Sequence, residues 1–293
     1  MTSHKKQQQA DISSKFKKSI LKWPGGKSKV LGQIFDAIPE YKKNEYSRFV
    51  DVFAGSGVVV ANASFAKTKL AADINGDLTT LFSTLSNQYD QLELELESLF
   101  SGAYNNQESY TKLRDEFNTA ECVGVRRAAV FVYLNKHAFN GVCRYNSKGK
   151  FNVPYGRPTA NPTLDKKSIK AFAETFNNTE IKNLSFEKIL PLCGAGDIVY
   201  CDPPYSPLSH QKSNFTSYAG NIFGPNEHAL LAKLAHEAAL RGAIVLISNH
   251  DTEETRELYK AASAFSSFDV RRSINSNGQG RNKVAELIAV FGL

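Results

Sequence analysis

Apolar residues in this chain fall into two rhythms. Short continuous runs recur at Phe49-Val-Asp-Val-Phe53, Leu70-Ala-Ala72, Ile198-Val-Tyr-Cys201, Ala243-Ile-Val-Leu-Ile247 and Val284 to Phe291. Runs of this length, rich in β-prone residues, predict buried strands of a largely parallel sheet. Between Asp77 and His137 the spacing changes to threes and fours, across Leu78 to Leu99, Ser109 to Phe117 and Arg126 to His137. That is helical spacing, and because it interrupts the alternation of strand and helix it predicts an inserted helical domain. Asn226 to Leu240 predicts a further helix, capped by Asn226 and ended at Gly242. Phe268 to Ile274 predicts a closing strand. The fold class expected is α/β.

Three predicted strands end in residues that carry chemistry. Phe49 to Gly57, followed by Val58 to Asn62, reads as strand, Gly-x-Gly turn and helix. This is the first βα turn of a nucleotide-binding sheet, where Gly55 and Gly57 let a ligand lie against backbone. Lys69 to Asn75 follows as a second strand with Asp73 at its tip. A carboxylate there grips a ribose diol, or it caps the next helix, a role for which Asn75 and Asp77 compete. The third strand runs into Asp202-Pro203-Pro204-Tyr205, and two prolines cannot extend a central strand. The result is a rigid lip with the Asp202 carboxylate, the Pro203 carbonyl and the Tyr205 ring. Two acceptors and a ring suit a planar heterocyclic amine; the alternative is a proline turn that merely closes a strand.

Two further stretches suggest a ligand surface. Ile20 to Lys27 sets Lys22, Trp23 and Lys27 around a Gly-Gly turn, where backbone can approach a ligand closely. Asn135 to Arg157 interleaves cations with Phe139, Tyr145 and Tyr155, and ends as a β-hairpin turning at Ser147-Lys148-Gly149. Cations suit phosphates, Arg144 suits a guanine edge, and an aromatic ring suits a wedge in a base stack; otherwise this is a solvated basic hairpin. Ser206 to Gly224 reads as a mobile lid, and Asn275 to Lys283 as a phosphate contact or a plain hairpin turn.

The formal charge of +7 over 293 residues points to an anionic partner, nucleic acid being the usual one. The four cysteines form no Cys-x-x-Cys pair and the six histidines no ligand-spaced cluster, so no metal is expected, and a reducing cytoplasm is. No apolar run is long enough to cross a bilayer, and no membrane association is expected. Residues 1–18, with Gln7-Gln8-Gln9 and five lysines, are expected to be a disordered basic arm.

From Leu21 to Phe291 the chain resembles the Dam-type adenine-N6 DNA methyltransferases of class α, the D12 family. The motifs that carry the resemblance are Leu21-Lys-Trp-Pro-Gly-Gly-Lys27, Phe53-Ala-Gly-Ser-Gly57, Ala72-Asp-Ile-Asn75, Asn140-Gly-Val-Cys-Arg-Tyr-Asn146, Phe151-Asn-Val-Pro-Tyr-Gly-Arg157, Asp202-Pro-Pro-Tyr205 and Ile247-Ser-Asn-His-Asp-Thr252. The resemblance implies a Rossmann-like methyltransferase sheet from 19–76 and 165–293, with a helical-plus-β-hairpin target-recognition domain inserted at 77–164. It implies S-adenosylmethionine as cofactor, contacted by Trp23, Lys27, Asp51, Phe53, Gly55, Gly57, Asp73 and Asp202. It also implies catalysis by Asp202, Pro203, Pro204 and Tyr205 on double-stranded DNA at GATC, by a protein that is monomeric in solution. Lys22, Val142, Arg144 and Pro154 fall where the family reads bases, Phe139 and Asn140 where it fills the gap left by a flipped adenine, and Arg157 at a phosphate. Phe139 stands where tyrosine is common and Val142 where leucine is, and both keep apolar bulk; Pro24 stands where alanine is usual and is expected only to stiffen the turn.

Overall fold

The computed structural model describes residues 16–40, 46–205, 217–218, 221–271 and 283–293. Most of the basic arm, most of the lid and most of the loop expected at Asn275 to Lys283 lie outside the described residues. The strands are β1 (Tyr46–Asp51), β2 (Ala66–Ala72), β3 (Thr179–Lys182), β4 (Asp197–Cys201), β5 (Ser217–Tyr218), β6 (Asn221–Ile222), β7 (Ile244–His250), β8 (Ala264–Arg271) and β9 (Lys283–Phe291). The chain divides into two compact units, the first of residues 1–29, 54–63 and 73–183, the second of residues 30–53, 64–72 and 184–293.

In the second unit six strands lie in the order β2-β1-β4-β7-β9-β8. β2, β1, β4 and β7 are parallel, and β9 runs antiparallel to both β7 and β8. All five residues of β4 are buried, as a strand covered on both faces requires. Val50, Val199, Cys201, Val245, Ile247, Leu287 and Ala289 join one apolar cluster with Leu231, Ala235 and Ala238 of the helix Pro225–Leu240. Truncating Leu231, which is fully buried, to alanine would cost about 2–5 kcal/mol. The helix starts one residue earlier than its sequence suggests, and Asn226 does not cap it. Pro225 takes the first helical position, where its missing N–H costs nothing, and the Glu227 carboxylate accepts from the Gly224 N–H at 2.8 Å.

The first unit contains the inserted helices. They run Gly76–Asn87, Tyr89–Leu99, Gln107–Phe117 and Gly124–His137. The last is apolar on nearly every side, with Ala128 to Leu134 fully buried. Its neighbours each offer one stripe: Leu78, Leu81, Phe82 and Leu85, then Leu92, Leu96 and Leu99, then Tyr110, Leu113 and Phe117, the spacing of amphipathic helices around a core. The hairpin that follows is pinned by single bridges, Ala138 to Tyr155 and Tyr145 to Phe151. It turns at Asn146 to Gly149, with the Gly149 N–H on the Asn146 carbonyl at 2.9 Å.

Among the described residues no group of three His, Cys, Asp or Glu side chains is placed to hold a metal ion, and no helix is long and apolar enough to cross a membrane.

Candidate active site

In the second unit β1, β4 and β7 are adjacent and parallel, so their carboxyl ends share one sheet edge. The chain turns to opposite sides of β1, with β2 on one flank and β4 on the other, and open α/β sheets bind ligands at such a reversal. β1 delivers Asp51, buried and in register with Tyr200 of β4. β4 delivers Asp202, Pro203, Pro204 and Tyr205 directly after Cys201. β7 delivers Asn249 and His250.

Side chains converge on this edge. The Tyr205 ring meets the His250 ring at 81° with centroids 4.7 Å apart, and its buried hydroxyl lies in the field of the Asp202 carboxylate. Burial first, then the charges of Asp202 and Glu286, push this phenol well above its ordinary pKa, so it remains a donor. Glu286 stands opposite His250 across the β7–β9 pair. The Tyr200 and Ser248 hydroxyls are bonded at 2.9 Å. Beside the prolines, His228 is buried, lies at near right angles to Phe223 at 4.7 Å, and has the Pro204 backbone as its polar neighbour. Burial lowers its pKa, outweighing the rise from that backbone contact and from Glu227. Phe53 stacks on Phe186 and meets Phe223 edgewise, both at 5.7 Å.

The first unit assembles the other expected cofactor residues around a turn. Asp73 accepts the Gly55 N–H on one carboxylate oxygen and the Asn75 N–H on the other, each at 2.9 Å. Burial raises its pKa, and backbone N–H groups of Asn75, Gly55 and Ile74 work against that rise. The helix cap at this point is Asn75, whose side chain accepts the Asp77 N–H, so Asp73 is not spent on capping. Gly55 has φ of 49°, and a Cβ there would sit 2.9 Å from Nε1 of Trp23; only glycine lets the indole lie so close to this turn. Gly57 is the residue preceding the helix Val58–Asn62, with φ of 72°. Lys27 is buried, and its Nζ reaches the Gly25 carbonyl at 3.2 Å.

The residues expected to meet DNA gather in the same unit. Asn135, fully buried at the end of its helix, accepts the Lys22 N–H at 2.8 Å and donates to the carbonyls of Lys22 and Gly141 at 2.8 and 2.9 Å. One side chain therefore ties the Lys22 segment to the turn that carries Phe139 and Asn140. Lys22 Nζ donates to the Lys136 carbonyl at 3.0 Å. Phe139 is 56% exposed, an unusual position for a large apolar ring, and its N–H bonds to the Pro154 carbonyl at 3.0 Å. Arg144 donates from Nε to the Asn152 side chain at 2.9 Å and from a terminal nitrogen to the Asn152 carbonyl at 3.3 Å. Val142 follows the Phe139 turn in extended conformation. Asn140 and Arg157 have φ of 53° and 48°, conformations that cost side-chain-bearing residues energy and collect at functional sites.

Sequence reasoning missed His228, His250 and Glu286 as neighbours of the proline lip. His250 sits in a motif already noted, but its pairing with Glu286 appears only once the β7–β9 register is known.

A family model described as D12 class N6 adenine-specific DNA methyltransferase matches residues 23–274. The DNA adenine methylase of Serratia marcescens is 38% identical over 275 residues, covering 94% of this chain and 98% of that protein. Those of Vibrio cholerae (39% over 278 residues, 94% and 97%) and Escherichia coli K12 (40% over 274 residues, 94% and 95%) are similar to it to the same degree. The fold is α/β with a mixed sheet, and a family of this kind implies DNA as substrate and a methyl donor of the S-adenosylmethionine type. The chain belongs to the D12 class of N6 adenine-specific DNA methyltransferases.

Proposed function

We propose that the protein methylates N6 of adenine within GATC in double-stranded DNA, using S-adenosylmethionine and acting on a base turned out of the helix. The observation that carries this reading is the position of Asp202-Pro203-Pro204-Tyr205 at the carboxyl end of β4, where the Tyr205 ring meets His250 of the adjacent β7.

The chemistry follows from the amine. The N6 lone pair of adenine is delocalised into the ring, so the nitrogen is a poor nucleophile. Asp202 and the Pro203 carbonyl each accept one N6 hydrogen and draw the nitrogen towards tetrahedral geometry. Positive charge grows on N6 during transfer, so both acceptors bind the transition state more tightly than the ground state. Pro204 keeps the lip rigid. Tyr205 offers its ring to the extruded base, which is out of reach inside a duplex.

S-adenosylmethionine supplies an electrophilic methyl group on a sulfonium. The residues present suit it. A carboxylate has about four acceptor sites, and the two N–H bonds to Asp73 leave acceptors for a ribose diol. Trp23 gives a flat apolar surface beside the Gly55 turn. Lys27, Asp51, Phe53 and Gly57 complete the set assigned to the cofactor. Lys22, Val142, Arg144 and Pro154 read bases, Phe139 and Asn140 occupy the gap in the stack, and Arg157 takes a phosphate. The protein acts as a monomer without metal, in a bacterial or phage-infected cytoplasm.

Expression in a methylation-deficient host tests this directly. The host's DNA should become resistant to a nuclease blocked by adenine methylation in GATC, and sensitive to one that requires it. Unchanged digestion by both contradicts the reading.

A further inference from the structure

Beneath the hairpin lies a polar cluster that the reaction does not use. Arg127 donates from Nε to one oxygen of Asp77 at 2.5 Å, and from a terminal nitrogen to the carbonyls of Phe117 and Cys122 at 3.0 and 3.2 Å. Its guanidinium lies 4.2 Å from the centre of the Phe117 ring. The other oxygen of Asp77 accepts the hydroxyl of Tyr145. The Cys143 thiol lies 3.6 Å from that hydroxyl, and the Asn75 amide lies 3.9 Å from the sulfur. The donors therefore all run one way, from Asn75 through Cys143 and Tyr145 to a single buried carboxylate.

Packing alone would ask less of these residues. Phe151 already packs edgewise on the Tyr145 ring at 5.8 Å, and an apolar residue at 145 would fill the same space. A buried hydroxyl is tolerated only because it is bonded, and here its acceptor is an ion, which makes the bond stronger and more directional. Burial, with Cys143 and Asp77, pushes the Tyr145 phenol up, so it stays protonated and keeps donating.

The consequence falls on the next residue. In extended chain, successive side chains point to opposite faces, and a one-residue slip exchanges them. The hairpin has no long ladder: besides the isolated bridges, only two backbone bonds cross it here, Asn146 N–H to the Lys150 carbonyl at 2.9 Å and Asn152 N–H to the Arg144 carbonyl at 3.1 Å, so a side-chain anchor adds to a short backbone register. Tyr145 is the inward residue and Arg144 its outward neighbour. We propose that the hydrogen bond from Tyr145 to Asp77 is the register lock that holds Arg144 towards the base edges, which makes Asp77 and Tyr145 positioning residues for sequence discrimination. This rests on the reading of Arg144 as a base contact.

The test is a double-mutant cycle in the full chain. For wild type, Tyr145→Phe, Arg144→Ala and the pair, kcat/KM is measured on a GATC duplex and on one with a single altered base pair, with melting temperature recorded alongside. Losing a hydrogen bond to an ion predicts a fall of about tenfold in the cognate-to-altered ratio for Tyr145→Phe, and no further fall when it is added to Arg144→Ala. A ratio unchanged in Tyr145→Phe while Arg144→Ala collapses it overturns the lock but leaves the base reading intact. So does a Tyr145→Phe effect that persists in full without Arg144. An Arg144→Ala ratio equal to wild type overturns both. Should Tyr145→Phe fail to fold, Asp77→Asn tests the bond from its other end. If neither variant folds, the cluster is a general stabiliser and the lock is wrong.

Discussion

The backbone N–H of Gly55 and one carboxylate oxygen of Asp73 are joined at 2.9 Å, which fixes the carboxylate against the glycine turn. The second Asp73 oxygen is held equally by Asn75. The carboxylate is thus oriented before any ligand arrives, and preorganisation of this kind is where binding affinity is gained.

Removing it should weaken cofactor binding selectively. Asp73→Ala is expected to raise the dissociation constant for S-adenosylmethionine by about 10- to 100-fold, the usual value of hydrogen bonds to an ion. Calorimetry on the purified protein reads this directly. Duplex affinity without cofactor should stay within about twofold of wild type, because substitutions act independently on sites that share no partners.

Arg157 should behave differently, because its backbone is left-handed. Arg157→Gly removes a cation but also a conformational cost of about 1 kcal/mol. Melting temperature should hold or rise, while the salt dependence of duplex binding loses about one phosphate's worth of slope. Affinity measured across a salt series checks both halves of the statement.

A pH effect is expected from Lys136. Burial first, then the charge of Lys22, lowers its pKa to about 8. The sign follows from the charge. Below that value the ammonium adds to the field seen by phosphate, and above it the charge is lost. Duplex binding should therefore take up a proton and weaken as pH rises through about 8, and Lys136→Gln should flatten the profile. Fluorescence anisotropy from pH 7 to 9 on both proteins measures it.

Much of this arrangement was legible in the sequence. β4 and β7 could be read because strands buried on both faces need unbroken apolar runs, and Ile198 to Cys201 and Ala243 to Ile247 supply them. The inserted helices could be read because each offers one apolar stripe. β3 could not, since Thr179-Glu-Ile-Lys182 is four half-polar residues with no run to mark it. The cap of the helix Pro225–Leu240 was misplaced because asparagine is the commoner cap, whereas Pro225 and Glu227 solve the same problem by other means. Candidate site residues stood out where a motif was rigid, as at Asp202 to Tyr205, or rich in glycine, as at Gly55. The bonds between distant segments, Asn135 to Lys22, Tyr145 to Asp77, and His250 opposite Glu286, depend on register and packing that a linear pattern does not record.

The central claim is that Asp202 acts on the amine during methyl transfer and does little to hold DNA. Single-turnover methylation by Asp202→Asn, measured beside duplex affinity for the same protein, tests it most directly. The amide keeps the shape but halves the acceptors, and the rate should fall by at least about 100- to 1,000-fold, as for a lost transition-state contact, with duplex affinity nearly unchanged. A rate within a few-fold of wild type, or a loss explained wholly by failed DNA binding, would contradict the account.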